Sequence, residues 1–136
     1  MSFVLDSSLS LTWCFDDERT DATDALLERV VEAGAVAPAL WLLEVLNALA
    51  MAERRSRIDT ERRQRLAGFL RDLPVTIDEE TASQAWAVTS QLAARFRLTV
   101  YDAAYLELAQ RRGLPLATLD QELRAAAAAL GVTLLD

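Results

Sequence analysis

LTVYDAAYLELAQRRGLPLATLDQEL, residues 98–123, decides the fold of this chain. Asp102–Arg112 reads as a helix stopped by Gly113, a residue that ends helices cheaply in the left-handed conformation. Leu116–Leu119 then reads as a short strand, and Gln121–Leu130 as an Ala-rich helix stopped by Gly131. Working outward, the same alternation recurs. Phe3–Asp6 is a first strand followed by a helix that Ser8 caps, and Thr20–Ala33 is a second helix with Ala22, Ala25, Leu26, Val30 and Ala33 on one face. Ala35–Ala37 is a strand, Leu40–Arg55 a nearly all-apolar helix, and Asp59–Asp72 an amphipathic one. Pro74–Ile77 is a third strand, a helix runs from Asp78 or Thr81 to Arg95, and Val132–Leu135 is a last short strand. Strands alternating with helices over short connections predict a parallel sheet covered on both sides. No linker or repeat divides residues 1–136, so a single domain is expected.

Composition removes whole classes of chemistry. There is no histidine, and all 14 basic residues are arginine. That excludes histidine-based triads and general bases, imidazole-dependent zinc sites, Schiff-base lysines and the phosphate-loop lysine. Cys14 is the single cysteine, so no intrachain disulfide forms; it reads as a small buried residue. The N-terminus has no basic n-region, so no signal peptide is expected. Residues 33–52 are apolar enough to suggest a membrane span, but Pro38, Glu44 and Asn47 interrupt them; they are read as core of a soluble, cytoplasmic protein.

Against this background four acids stand out: Asp6 in FVLDSS, Glu44 in WLLEVLNALAMA, Asp102 in VYDAAYLELA and Asp120 in LPLATLD. A carboxylate in an apolar run is partly buried, and an unpaired buried charge is costly or becomes protonated. In open α/β sheets, ligands collect beyond the carboxyl ends of the strands. Asp6 closes the first strand, Asp120 follows the fourth, Asp102 starts a helix, and Glu44 lies one turn into another. All four can therefore reach one rim, where a hard divalent cation would balance them. Phosphodiester hydrolysis suits such a site and needs no histidine. Asp6, Asp102 and Asp120 each also fit as helix-start residues. Glu44, between WLL and VL, has no such explanation.

Around the acids, Ser7 or Ser8, Asn47 and Thr118 are expected to orient the carboxylates. Trp13, Trp41 and Trp86 are expected in the core, while Tyr101 and Tyr105, flanking Asp102, are expected to touch a substrate or partner. Net charge is −7, yet residues 53–71 carry seven arginines against three acids. That stretch reads either as a solvated, ion-paired helix face or as a surface contacting phosphates or a partner.

The ordered set VLDSS, EVLNALA, LTVYDAAYLELAQRRGLPLATLDQEL and AAAALGVTLL resembles the PIN-domain nucleases over essentially the whole length. The likeness is greatest to the VapC-type toxins of toxin–antitoxin pairs. The resemblance implies a three-layer α/β/α sandwich with a central, mostly parallel sheet of four to five short strands. It implies a Mg²⁺-dependent endoribonuclease, with Mn²⁺ as a substitute, acting on single-stranded RNA. Asp6 and Asp102 would be principal metal ligands, and Glu44 and Asp120 would complete an acidic quartet. Ser8 holds the family's polar position two residues after the first acid. A homodimer silenced by a cognate antitoxin is also implied. The chain departs from the pattern in its acidity and its lack of lysine. RNA or partner contact would then fall to Arg54, Arg55, Arg62 and Tyr101, or to a dimer groove. A catalytically weak, PIN-like binding module is the alternative. A phosphatase or phosphoacceptor reading fails because Ser8 stands where a second aspartate is needed and no lysine exists.

Overall fold

The computed structural model describes residues 2–136. Its centre is a four-stranded, all-parallel sheet in the order β3-β2-β1-β4, built from β1 (Val4–Leu5), β2 (Ala35–Ala37), β3 (Val75–Ile77) and β4 (Leu116–Ala117). Val4 pairs with Val36 on one side and with Leu116 on the other. Helices enclose the sheet, so residues 3–5, 35–37, 116 and 117 are all buried, as a parallel sheet covered on both faces requires. The chain winds outward from β1 through β2 to β3, then returns to place β4 on β1's other side. Strand order therefore reverses between β1 and β4, which is where an open α/β sheet leaves a crevice at its carboxyl edge.

The helices are α1 (Ser7–Thr12), α2 (Asp21–Ala33), α3 (Leu40–Arg54), α4 (Thr60–Asp72), α5 (Thr81–Gln84), α6 (Ser90–Phe96), α7 (Val100–Arg112) and α8 (Gln121–Leu130). Local chemistry sets their ends. Thr20 and Thr23 form a reciprocal cap on α2, and the side chains of Asp59 and Thr99 accept backbone N–H groups at the starts of α4 and α7. Gly113 and Gly131 end α7 and α8 in the left-handed conformation. In the middle of α7, Ala103 to Ala109 are all buried, which explains why that segment is apolar almost all round.

Several boundaries differ from the sequence expectations. Residues 132–135 contribute a single parallel bridge, Leu116 to Leu134, instead of a full fifth strand. Ser8 lies inside α1, and Asp6 occupies the cap position without a side-chain capping bond. Val100 is already helical, so α7 starts before Asp102. The helix expected to run unbroken to Arg95 is interrupted by a wide π turn at Ala85–Thr89, with Ala87 at φ −112°, ψ −105°. Trp86 is not a core residue: it is 94% exposed. The inward face of this helix is carried by residues 84–85, 88–89 and 92–93, and position 86 falls off it. Trp13 and Trp41 are buried, and each satisfies its indole N–H. Trp13 donates to the Thr23 carbonyl at 2.8 Å and Trp41 to Ser10 Oγ at 2.9 Å.

Candidate active site

Asp6 emerges from β1 into the β1/β4 crevice and is only 3% exposed. Its backbone N–H still bonds to the Ala117 carbonyl of β4 at 3.1 Å, fixing the carboxylate to the sheet edge. Its Oδ2 accepts hydrogen bonds from Thr118 Oγ1 at 2.6 Å and Ser8 Oγ at 2.7 Å. Thr118 Oγ1 in turn accepts the Asp120 N–H at 3.1 Å, and Ser8 Oγ accepts the Leu119 N–H at 3.2 Å. Two hydroxyls thus tie the loop after β4 to the acid after β1. Asp120 caps α8 by accepting the Leu123 N–H on Oδ1 at 2.9 Å. That duty engages one oxygen and is compatible with a role in the crevice.

The other two acids come from helices. Asp102 lies in the first turn of α7, where its backbone N–H is taken by Thr99 Oγ1 at 3.1 Å. Glu44 projects from α3, and its Oε1 accepts the Tyr105 hydroxyl at 2.6 Å. Tyr105 is completely buried, one turn after Asp102 on α7. It is therefore a partner of Glu44 inside the protein and not a substrate-facing residue.

The four carboxylates lie near enough for their charges to oppose one another's ionisation. Burial pushes the Asp6 carboxyl above the usual range, against the hydrogen bonds of Thr118 and Ser8 and together with the charge of Asp120. Burial also raises Glu44, partly offset by the Tyr105 bond and reinforced by Asp6. Asp102 is pushed up to about 6, first by burial and then by the charges of Asp120, Asp6 and Glu44. No ion pair among the described residues involves any of the four.

The contrast with another acidic group is instructive. Glu107 and Asp78 are also buried, but Arg111 serves both, with bonds of 2.8 Å to Glu107 and 2.7 Å to Asp78, and a further 3.0 Å bond to Glu80. Burial opposes ionisation of Asp78, yet the Arg111 bonds and charge hold its carboxyl below the usual range. Buried acids in this protein are thus neutralised by arginine except in the β1/β4 crevice.

Oxygen donors without a protein cation suit a hard divalent ion. No group of three or more carboxylate or thiol side chains among the described residues is spaced to enclose a metal unaided. Mg²⁺ does not require that, since it typically keeps several waters and takes one or two carboxylates together with substrate oxygens. The donor set fits such an ion.

The remaining candidates are less buried. Asn47 is exposed on α3. Tyr101 is 65% exposed beside Asp102, and Leu43, Val100 and Leu119 are exposed on the segments that carry the acids. Arg54 is ten residues beyond Glu44 on α3, about 15 Å along the axis at 1.5 Å per residue, and Arg55 follows it. The arginine-rich segment is partly neutralised in three dimensions. Arg63 pairs with Glu53, and Arg57 pairs with Asp17 and Glu18 while stacking on Phe15. Arg62 lies close enough to Cys14 to oppose the burial and the Glu18 charge that push this thiol up to about 11. An apolar groove between α3 and α4, lined by Trp41, Leu46, Ala67 and Ile77 with Arg63 and Arg71, contains none of the four acids.

The sequence reading left out Arg111 and assigned Tyr105 to a substrate or partner, whereas the structure buries it. A signal existed for Tyr105: a phenol three positions after Asp102 on a buried helix needs a polar partner for its hydroxyl. Arg111 likewise stands four residues after Glu107, the spacing of a helical ion pair.

A parallel α/β sheet with uncompensated acids at its switch point defines a class of small acidic-site α/β proteins. The model of the PIN domain matches residues 3–129, and the chain belongs to that family. Solved structures share the fold at low identity. FitAcB from Neisseria gonorrhoeae aligns over 100% of this chain and 97% of its own, with TM-score 0.69 and 16% identity. PAE2754 from Pyrobaculum aerophilum aligns over 93% and 84%, with TM-score 0.64 and 22% identity. VapC20 from Mycobacterium tuberculosis, described as a toxin cleaving the sarcin-ricin loop, aligns over 91% and 94%, with TM-score 0.63 and 16% identity. No curated protein sequence matches the chain. No helix among the described residues is long and apolar enough to cross a membrane.

Proposed function

We propose that this protein is a divalent-metal-dependent endoribonuclease, the toxin of a toxin–antitoxin pair. The observation that carries the reading is that Asp6, Glu44, Asp102 and Asp120 act on one another's charge near the β1/β4 crevice while none of them pairs with an arginine among the described residues. Family membership and the fold shared with VapC20 support the substrate class. Mg²⁺, or Mn²⁺ in its place, supplies an ionisable water and a positive centre for phosphate oxygens.

The chain's own contribution is positioning. Thr118 and Ser8 both bond the same oxygen of Asp6 and so fix its carboxylate. Asp102 and Asp120 are presented from helix starts, Asp102 in the first turn of α7 and Asp120 at the N-cap of α8. Exposed Tyr101 offers an aromatic face to an unpaired base of single-stranded RNA. A cognate antitoxin and a second copy of the chain are the proposed protein partners, in the cytoplasm.

The deciding experiment is cleavage of single-stranded RNA by purified protein with Mg²⁺, with EDTA, and by Asp6→Asn. The reading requires loss of cleavage in the last two. Undiminished cleavage by the folded variant would overturn it. Absence of Mn²⁺ binding together with tight capture of a co-expressed small protein would favour the binding-module alternative.

A further inference from the structure

We infer that Tyr105 is a positioning residue that acts through Glu44 and sets the divalent-cation affinity of the crevice. The inference rests on the metal-site reading above and assigns a role to a residue outside the acidic quartet. Tyr105 is fully buried, and its hydroxyl meets Glu44 Oε1 at 2.6 Å. The Ser7 side chain, next in the chain after Asp6, lies close enough to both Glu44 and Tyr105 to favour their ionised forms. Tyr105 belongs to the same helix as Asp102, three residues on. One rigid helix therefore carries one acid directly and fixes the direction of a second that belongs to α3.

The chemistry is specific. A phenol can donate one hydrogen bond, and Glu44 is the acceptor the structure provides. The bond at Oε1 fixes how the whole carboxylate, and with it Oε2, is presented. Glutamate has three side-chain torsions, and without this anchor its carboxylate would sample several rotamers of a partly exposed helix position. Loss of such an outer contact typically weakens metal binding about 10–100-fold.

The test is Mn²⁺ titration followed by electron paramagnetic resonance, without RNA, on wild type, Tyr105→Phe, Glu44→Ala and the double variant. Tyr105→Phe is expected to bind Mn²⁺ about tenfold more weakly than wild type. On the Glu44→Ala background it is expected to change nothing further. Equal affinity of Tyr105→Phe and wild type would overturn the proposal, as would an undiminished effect in the absence of Glu44. If Tyr105→Phe does not fold, Ser7→Ala is titrated in its place and must likewise weaken binding only when Glu44 is present. Failure of wild type to bind Mn²⁺ would instead refute the metal-site reading itself, and with it this proposal.

Discussion

Thr118 Oγ1 donates to Asp6 Oδ2 across 2.6 Å, although 112 residues separate the two in the chain. This single hydroxyl also accepts the Asp120 N–H, so it sets two acids at once. Replacing Thr118 by Val keeps the shape and removes both contacts. The variant is expected to lose about 1–3 kcal/mol of stability from the unsatisfied buried groups. It should also need about 10–100 times more Mg²⁺ for half-maximal cleavage, while Thr118→Ser stays near wild type. Chemical denaturation and a Mg²⁺ titration of RNA cleavage check both halves; a Val variant with unchanged Mg²⁺ demand removes Thr118 from the site.

The acidic crevice makes stability depend on pH in a particular direction. Asp102 titrates near 6, above the ordinary 3.8, with burial the largest cause. A carboxyl raised in this way binds its proton more tightly folded than unfolded. Its contribution is therefore present below the ordinary value and lost as pH rises through about 6. Asp6 and Glu44 act in the same sense. Asp78 acts oppositely, losing its contribution as pH falls through the range below ordinary carboxylates. In EDTA, this contribution to Tm should fall as pH rises from about 4 to about 6, and Mg²⁺ should restore it at the upper end by binding the ionised acids. Asp102→Asn should flatten the slope. An unaltered slope in that variant would show that Asp102 is not the titrating group.

Arg111 tests the other acidic cluster. Replacing it with Met leaves Glu107 and Asp78 buried without their cation, which should cost about 3 kcal/mol or more. Lysine should not rescue it, because one ammonium cannot reproduce the forked contacts to three carboxylates. RNA cleavage per folded molecule should stay near wild type. A drop in activity without a drop in Tm would link this network to the crevice.

Trp86 separates exposed from buried indoles. Trp86→Ser is expected to change stability by no more than about 0.5 kcal/mol. It should move the tryptophan emission maximum to shorter wavelength, since Trp13 and Trp41 that remain are buried. A cooperative loss of stability would mean that Trp86 is packed in solution.

Much of this molecule was legible from residue order. Strand positions followed from short apolar runs between helical segments, and the ends of α7 and α8 from the glycines at 113 and 131. The unusual acids were visible because carboxylates are rare inside apolar runs. The errors share a cause. Trp86 and the π turn depend on which face of a helix meets α7, and composition alone does not specify that. The arginine-rich stretch looked strongly positive in one dimension because its counter-charges Asp17 and Glu18 lie about forty residues away.

By itself the sequence determined the α/β alternation, the exclusion of histidine and lysine chemistry, and the identity of four acids set in apolar runs, since each follows from local propensity or from composition. Only the tertiary structure decided which oxygen bonds to which hydroxyl, that Tyr105 turns inward to Glu44, and that Arg111 neutralises one acidic cluster and leaves the other bare. Those outcomes depend on the sheet order β3-β2-β1-β4, which brings Asp6 beside Thr118. Hydrogen bonds and charge pairs act over a few ångströms of space, and distance along the chain carries no information about them until the sheet has formed.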